Sequence, residues 1–250
     1  MAKTSKIINK KSKITKKPPI VMKRGVVVML DVLGVKGIWS RMNSSDVIKK
    51  WRDIEEDFQD FHGLIKKDHA DLNPKIQAFS DTIIITLEGK DDRKLLTQAA
   101  MHVMWPLCHG ILNGIYLRGS ISIGEFYQDK TIVIGPAIDE AVAWYEKYDW
   151  MGITLTPTAN YTAEKLNLEE TKLIDLYTFT QVPFNDGTKK SLWTINWPNE
   201  LPEVMKFMKD TRNVKQAILE SFSKSPSNSE SFNKYQNSLD FYDKIIKKNN

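Results

Sequence analysis

Two aspartates stand where a carboxylate has chemistry open to it. Asp31 closes the β-branched apolar run Gly25-Val26-Val27-Val28-Met29-Leu30, and Asp81 lies between two further apolar runs, Lys75–Phe79 and Thr82–Leu87. Either one alone also reads as a turn-forming residue whose carboxylate bonds nearby backbone N–H groups. Together they suit hard, oxygen-loving cations such as magnesium or manganese, because four histidines and one cysteine offer little to softer metals. Two carboxylates holding two divalent ions roughly 3.5–4 Å apart form the arrangement of phosphoryl and nucleotidyl transfer. One ion lowers the pKa of an attacking hydroxyl while the other steadies the leaving oxygens. The loop Val32-Leu33-Gly34-Val35-Lys36-Gly37 follows Asp31 directly. Its two glycines let backbone N–H groups approach phosphate oxygens closely.

The elements that must position these residues are legible from hydrophobic spacing. The run ending at Asp31 reads as a buried strand. After an irregular stretch over 32–43, Ser45-Asp46 is a candidate N-cap, and Val47, Ile48, Trp51, Ile54, Phe58, Phe61, Leu64 and Ile65 recur at helical spacing. Lys75–Phe79 and Thr82–Leu87 read as strands joined tightly at Ser80-Asp81, and a helix follows over 92–112 with a kink or break expected at Trp105-Pro106. Leu117–Phe126 is a strand, Gln128-Asp129-Lys130 a turn and Thr131–Ile134 the returning strand. A helix is expected over 136–148, opened by Pro136. A strand at Ile153–Thr156 precedes a helix opened by Pro157, and shorter strands are expected near 172–176 and 191–196. Beyond Pro198 the chain reads as helical, with a Ser-rich stretch over 223–231 before a last helix over 232–247.

The order strand–helix–strand–strand–helix–strand over residues 26–124 is the split βαββαβ of ferredoxin-like folds, an α+β architecture with added strands and a C-terminal helical segment. In such a sheet the end of the first strand lies beside the hairpin joining the second and third, which brings Asp31 and Asp81 to one edge. The fold hosts many functions, so the function must come from the site. Three segments follow: a basic leader over 1–24, a catalytic domain over 25–198, and a helical extension over 199–250.

Composition narrows the field. With 41% hydrophobic and 27% charged residues the chain has the balance of a globular protein, and no apolar run approaches the roughly 20 residues of a membrane helix. The N-terminus is too rich in lysine to resemble a secretory signal, and the single Cys108 excludes an internal disulfide, so a cytoplasmic location is expected. The net charge of +5 hides a division. Residues 1–24 hold nine Lys or Arg and no acid, whereas the rest carries 27 basic against 31 acidic residues. The leader reads as a solvated, disordered segment; contact with nucleic acid or an acidic partner is the other reading.

Three motifs carry a resemblance: Met29-Leu30-Asp31-Val32-Leu33-Gly34-Val35, then Phe79-Ser80-Asp81-Thr82-Ile83-Ile84, then Gly135-Pro136-Ala137-Ile138-Asp139-Glu140-Ala141. In order and separation the set resembles the class III nucleotidyl cyclases over residues 26–157. With Arg118-Gly119-Ser120-Ile121-Ser122-Ile123-Gly124-Glu125 added, it looks like the stand-alone bacterial cyclases of the Pycsar anti-phage system, which make cyclic UMP or cyclic CMP as an alarm signal. The resemblance implies that Asp31, Asp81 and the carbonyl of Val32 ligate two divalent ions. It also implies that Gly34 and the backbone of Val35 and Lys36 hold the triphosphate. It further implies a homodimer with nucleotide at the subunit interface, and a separate effector that reads the cyclic product.

Departures from the family pattern sharpen the expectation. Purine cyclases of this class read the base with a residue four before the hairpin Asp, here Gln77, and another seven before the helix Asn, here Ile132. Ile132 has no side-chain hydrogen bond to offer, so the purine-reading pair is absent and a pyrimidine nucleoside triphosphate, UTP or CTP, is the expected substrate. The Asn position is Asp139, and the Arg four beyond it, which stabilises charge on the transferring phosphorus, is Ala143. Arg41, Lys36, Arg118 and Lys147 are candidate replacements, with Arg118 also readable as a surface residue opening a strand. Alternatives remain a purine cyclase with another base-reading set, an inactive nucleotide-binding module, and a palm-type nucleic-acid enzyme.

The other chemistry-bearing residues read more simply. His62/His69 and His102/His109 form pairs seven apart on two helices with no acidic ligand beside them. Trp144, Tyr145, Tyr148 and Trp150 are core or dimer contacts, or a base-stacking group. Phe207, Met208, Phe222, Tyr235 and Phe241 are packing or dimerisation residues, and Cys108 a small buried apolar one.

Overall fold

The computed structural model describes residues 20–34, 40, 42–65, 74–170, 172–224 and 229–249. Strand β1 (Lys23–Leu33) is central because both of its faces are apolar. Val26, Val28, Leu30 and Val32 point into the main core, whereas Val27 and Met29 point into a smaller one. β2 (Lys75–Phe79) and β3 (Thr82–Glu88) form the hairpin beside it, and β4 (Tyr116–Gln128) lies on its other flank. The order β2-β3-β1-β4 with antiparallel neighbours is the expected ferredoxin-like core. Helices α1 (Ser44–Ile65) and α2 (Asp92–Asn113) make its two crossovers.

The added strands extend the sheet past β4. β5 (Val133–Ile134) turns back on the far end of β4. β6 (Gly152–Leu155) runs parallel to β4, followed by β8 (Lys189–Ile195) and β7 (Tyr177–Pro183) at the edge. Helices α3 (Pro136–Tyr145) and α4 (Pro157–Lys165) flank β6 in sequence. The C-terminal segment is helical: α5 (Trp197–Phe207), α6 (Val214–Lys224) and α7 (Ser229–Asn249). Leu201, Val204, Ile218, Phe222, Phe241 and Ile245 from these helices join the same core cluster as the sheet.

Four elements differ from expectation. Helix α2 continues through Pro106, because Val103, Met104, Leu107 and Cys108 are buried on both sides of it. Their packing outweighs the roughly 3 kcal/mol that a mid-helix proline costs. The strand expected at 172–176 is instead a 3-10 turn, Lys172–Asp175, and the strand begins at Tyr177. Leu173 and Leu176 stand three apart, the spacing at which a 3-10 turn presents both to one side. The return strand is only Val133–Ile134, since Asp129 draws the amides of Thr131 and Ile132 into a turn. The helix expected to reach 148 stops at Tyr145.

Residues 1–19 of the basic leader lie outside the described residues. Its last two cations, Lys23 and Arg24, open β1 and pair with Glu88 and Asp92.

Candidate functional site

The alternation of a strand decides where Asp31 points. Asp31 follows Val27 and Met29 at steps of two, so it emerges on the face of the smaller core, just beyond its apolar end. Side chains directly opposite one another in a sheet share a face. The register therefore aligns Phe79, Thr82, Asp31 and Arg118 as one row, and Gln77, Ile84, Met29 and Ser120 as another. Asp81 sits in the two-residue turn of the β2–β3 hairpin, whose first residue, Ser80, takes a left-handed φ of 57°. The Val32 N–H donates to the Asp81 carbonyl at 2.9 Å, which fixes the hairpin tip to the end of β1. The two aspartates are thus brought together, and the Asp81 charge acts on Asp31.

Arg118 occupies the other side of Asp31. Its Nη2 donates to Asp31 Oδ2 at 2.7 Å, while Nη1 donates to the carbonyls of Glu146 at 3.0 Å and Tyr148 at 3.1 Å. The side chains are 10% and 15% exposed, so this is a nearly buried ion pair. Arg118 is accordingly not a surface residue, and β4 begins two residues before it. The signal for this lay in the strand: Arg118, Ser120 and Ser122 alternate with Leu117, Gly119, Ile121 and Ile123, a polar line facing one way. All three polar residues meet the segment after Gly135. Ser122 Oγ donates to the Ala137 carbonyl at 2.6 Å and Ser120 Oγ to the Ala141 carbonyl at 2.8 Å, ahead of the Arg118 contact to Glu146. Gly119 permits the close approach of β4 to β1 here, since a Cβ on it would stand 2.5 Å from the Met29 carbonyl oxygen.

Burial raises the Asp31 pKa above the ordinary carboxylate range; the Arg118 hydrogen bond and charge oppose this, and the Asp81 and Glu146 charges add to it. Tyr145, from the end of α3, packs against the smaller core and donates its hydroxyl to Glu146 Oε1 at 2.9 Å. Burial, that hydrogen bond and the nearby carboxylates of Glu146 and Asp31 push its phenol up to about 12, so it stays neutral.

The donor set is one of hard oxygens. Among the described residues no three His, Cys, Asp or Glu side chains gather into a metal cage. Asp31 Oδ1 has no partner among them and Oδ2 is held by Arg118. Two carboxylates without a cage fit magnesium-type ions, which take one or two carboxylates and complete their shell with water and substrate phosphate. Asp31, Asp81 and the Val32 backbone are therefore able to hold such ions. Gly34 takes a left-handed φ of 80° immediately past β1. Val35 and Lys36, the expected triphosphate contacts, lie outside the described residues, as does Arg41.

The remaining expected substrate residues are not all at this end. Gln77 shares the Asp31 face one row further in. Ile132 is in the turn beyond Gln128, ten residues along β4 from Arg118, which is about 33 Å of strand. Asp139 lies exposed in the first turn of α3, between Ala137 and Ala141, whose carbonyls accept from Ser122 and Ser120, and so partway along β4 rather than beside Arg118. One chain does not bring Ile132 to its own Asp31.

The other singled-out groups are packed. His102 is buried with Nδ1 2.7 Å from the Gln98 carbonyl. His109 Nδ1 lies 2.7 Å from Asp57 Oδ2 across the α1–α2 contact, so an acid does stand beside this histidine, with no further metal ligand grouped there among the described residues. His62 and His69 lie outside the described side chains. Tyr148 and Trp150 are fully buried, Trp144 packs against Tyr148 and Phe184, and Lys147 lies 5.4 Å from the Trp144 ring centre. Cys108 is buried, its thiol pKa raised by burial. No described helix is long and apolar enough to cross a membrane.

No family model matches the chain, and no curated protein matches it in sequence. Solved structures do match in fold. The catalytic core of a rhodopsin-guanylyl cyclase with converted specificity, in complex with ATPαS, aligns over 71% of this chain and 98% of its own, with a TM-score of 0.52 and 12% identity. A bacterial light-regulated adenylyl cyclase aligns over 77% and 100%, with a TM-score of 0.44 and 10% identity. An adenylate/guanylate cyclase/hydrolase from Silicibacter pomeroyi aligns over 70% and 98%, with a TM-score of 0.45 and 14% identity. The first of these shows that the chain has the fold of a cyclase catalytic core.

Proposed function

We propose that this chain is a nucleotide cyclase that converts a pyrimidine nucleoside triphosphate, UTP or CTP, into its 3′,5′-cyclic monophosphate and pyrophosphate. The observation that carries the reading is the convergence of Asp31 and Asp81 at one edge of the sheet, tied through the Val32 N–H. Their place in a fold shared with a guanylyl cyclase core supports it. In the reaction the ribose 3′-oxygen forms a bond to the α-phosphorus, the α-phosphorus bond to the pyrophosphate oxygen breaks, and the hydroxyl proton passes to solvent. Bound divalent ions, magnesium or manganese, acidify the hydroxyl and neutralise charge on the leaving group. Asp31 and Asp81 supply the anionic anchor, and Gly34, with its left-handed φ, stands at the end of β1 where the triphosphate contact is expected. The reaction is intramolecular, so holding the nucleotide in line supplies much of the acceleration.

The pyrimidine assignment rests on Gln77 and Ile132, which lack the purine-reading pair. The separation of Ile132 from Asp31 along β4 within one chain supports a homodimer, in which one subunit holds the metals and its partner contacts the same nucleotide. Arg118 has both terminal nitrogens committed, which leaves Lys36, Arg41 and Lys147 as replacements for the cation missing at Ala143. A role as the signal-producing half of an anti-phage system, its product read by a separate effector in the cytoplasm, completes the proposal.

The test is incubation of the purified protein with each of the four nucleoside triphosphates and manganese, with products identified by mass spectrometry. A cyclic pyrimidine nucleotide supports the reading. A cyclic purine nucleotide replaces it with a purine cyclase, and nucleotide binding without a product replaces it with an inactive binding module.

A further inference from the structure

We infer that Arg118 is the positioning residue of the metal site: it sets the rotation of the Asp31 carboxylate and ties that carboxylate to the turn after α3. The inference rests on the metal-binding reading of Asp31 and Asp81. An aspartate carboxylate has a broad, weakly held terminal torsion. Here one oxygen, Oδ2, receives Nη2 at 2.7 Å from the β4 flank, which leaves Oδ1 as the oxygen open to a metal, while the Asp81 hairpin lies on the opposite, β3 flank of β1. The other arm of the guanidinium is anchored, with Nη1 donating to two carbonyls, Glu146 and Tyr148. A planar fork held at both ends transmits position in a way that a point charge on a flexible stem does not. Carboxylates that ligate metals are commonly oriented by such partners, whose loss costs about 10–100-fold in metal affinity or activity.

The anchor is itself held from outside. The 146–149 turn is gripped by the tip of the β7–β8 hairpin, where Asn185 donates its side-chain amide to the Glu146 carbonyl and its backbone N–H to the Lys147 carbonyl. The Asp149 N–H donates to the Pro183 carbonyl at 2.9 Å. The Glu146 carbonyl thus receives both Arg118 and Asn185. Burial adds rigidity: Arg118 is 8% exposed and its Nε has no hydrogen-bond partner. Such a group is retained at a cost that its terminal bonds must offset. The contrast with Ser122 isolates the role. Ser122 lies on the same strand and face and bonds the first turn of α3 rather than the turn after it, and it does not touch Asp31.

The experiment is a Mn2+ titration of the nucleotide-free protein, read by the EPR signal of free Mn2+, with circular dichroism as the check on folding. Four proteins are compared: wild type, Arg118→Met, Arg118→Lys and Ser122→Ala. Arg118→Met should weaken Mn2+ binding at least about tenfold. Arg118→Lys keeps the charge without the fork and should weaken it by about threefold to tenfold. Ser122→Ala should bind as the wild type does. Wild-type Mn2+ affinity in either Arg118 variant overturns the inference, as does an equal loss in Ser122→Ala, which would assign the effect to helix docking. Tighter binding in Arg118→Met also overturns it, because Arg118 would then be a competing counter-ion. If Arg118→Met does not fold, Arg118→Lys decides the matter by the same criterion. A wild-type protein that binds no Mn2+ defeats the metal reading itself, which is a separate result.

Discussion

The two faces of the sheet are built on different principles. On one face Val26, Val28, Leu30 and Val32 pack against α2 in an apolar core that the C-terminal helices extend, with hydrogen bonds such as Tyr177 Oη to the Leu96 carbonyl a minor part of it. On the other a small apolar cluster docks α3, and the docking is completed by a polar line, Arg118, Ser120 and Ser122, donating to backbone carbonyls. Apolar packing is non-directional, so the first face supplies stability with wide tolerance of substitution by residues of similar volume. Hydrogen bonds are directional and costly to leave unmade, so the second face fixes position. Asp31 emerges on the second face. Chemistry sits where geometry is specified, and stability comes from the side that needs no such precision.

The sharpest way to break this contrast is to alter each face and read both stability and turnover. Asp81→Ala should reduce formation of cyclic product by about a thousandfold, equivalent to about 4 kcal/mol of transition-state stabilisation. Its urea midpoint should stay near the wild-type value, because the Asp81 backbone contact to Val32 does not need the side chain. Leu107→Ala on the other face should cost about 3 kcal/mol in urea unfolding and leave the Michaelis constant for nucleotide unchanged. A variant on the apolar face that changes catalysis without changing stability would contradict the division.

Asp31 should show both effects at once. Asp31→Ala strands the Arg118 guanidinium without its carboxylate and should lower stability by about 3 kcal/mol as well as abolish product formation. Asp31→Asn retains a hydrogen-bond acceptor for Nη2, so it should be equally inactive but measurably more stable than the alanine variant in urea unfolding. Equal stability of the two would mean that the ion pair does not restrain this edge.

The smallest effect concerns the far end of the sheet. The Asp129 carboxyl is held down to about 2 by the amides of Thr131 and Ile132, then by the Tyr127 hydroxyl. Its folded pKa is below the unfolded value of about 3.9, so the turn is fully supported above pH ~4. That support is lost as pH falls through about 2. NMR amide shifts of Thr131 and Ile132 should report this titration, while those of β1 residues in the main core should not follow it.

Much of this contrast was legible in the sequence. The unbroken run from Val26 to Leu30 announced a strand buried on both faces, and the element order over 26–124 gave the crossover topology. Once that topology was granted, Asp31 and Asp81 had to meet. What escaped local reading depended on partners far along the chain. Arg118 resembled a surface cation because its carboxylate is 87 residues away. Pro106 resembled a helix end because the packing that holds it is tertiary. The Leu173–Leu176 stretch resembled a strand because alternation and i,i+3 spacing are indistinguishable in four residues. The distance from Asp31 to Ile132 became visible only with the register of β4, and it turned two residues read as flanking one base into a reason for two subunits.

The most direct measurement is anomalous diffraction from crystals of the protein soaked with Mn2+ and a non-hydrolysable pyrimidine nucleoside triphosphate. The account predicts manganese peaks within coordination distance of both the Asp31 and Asp81 carboxylates, with Arg118 still on Asp31 Oδ2. Fully occupied nucleotide with no manganese at either aspartate would contradict it.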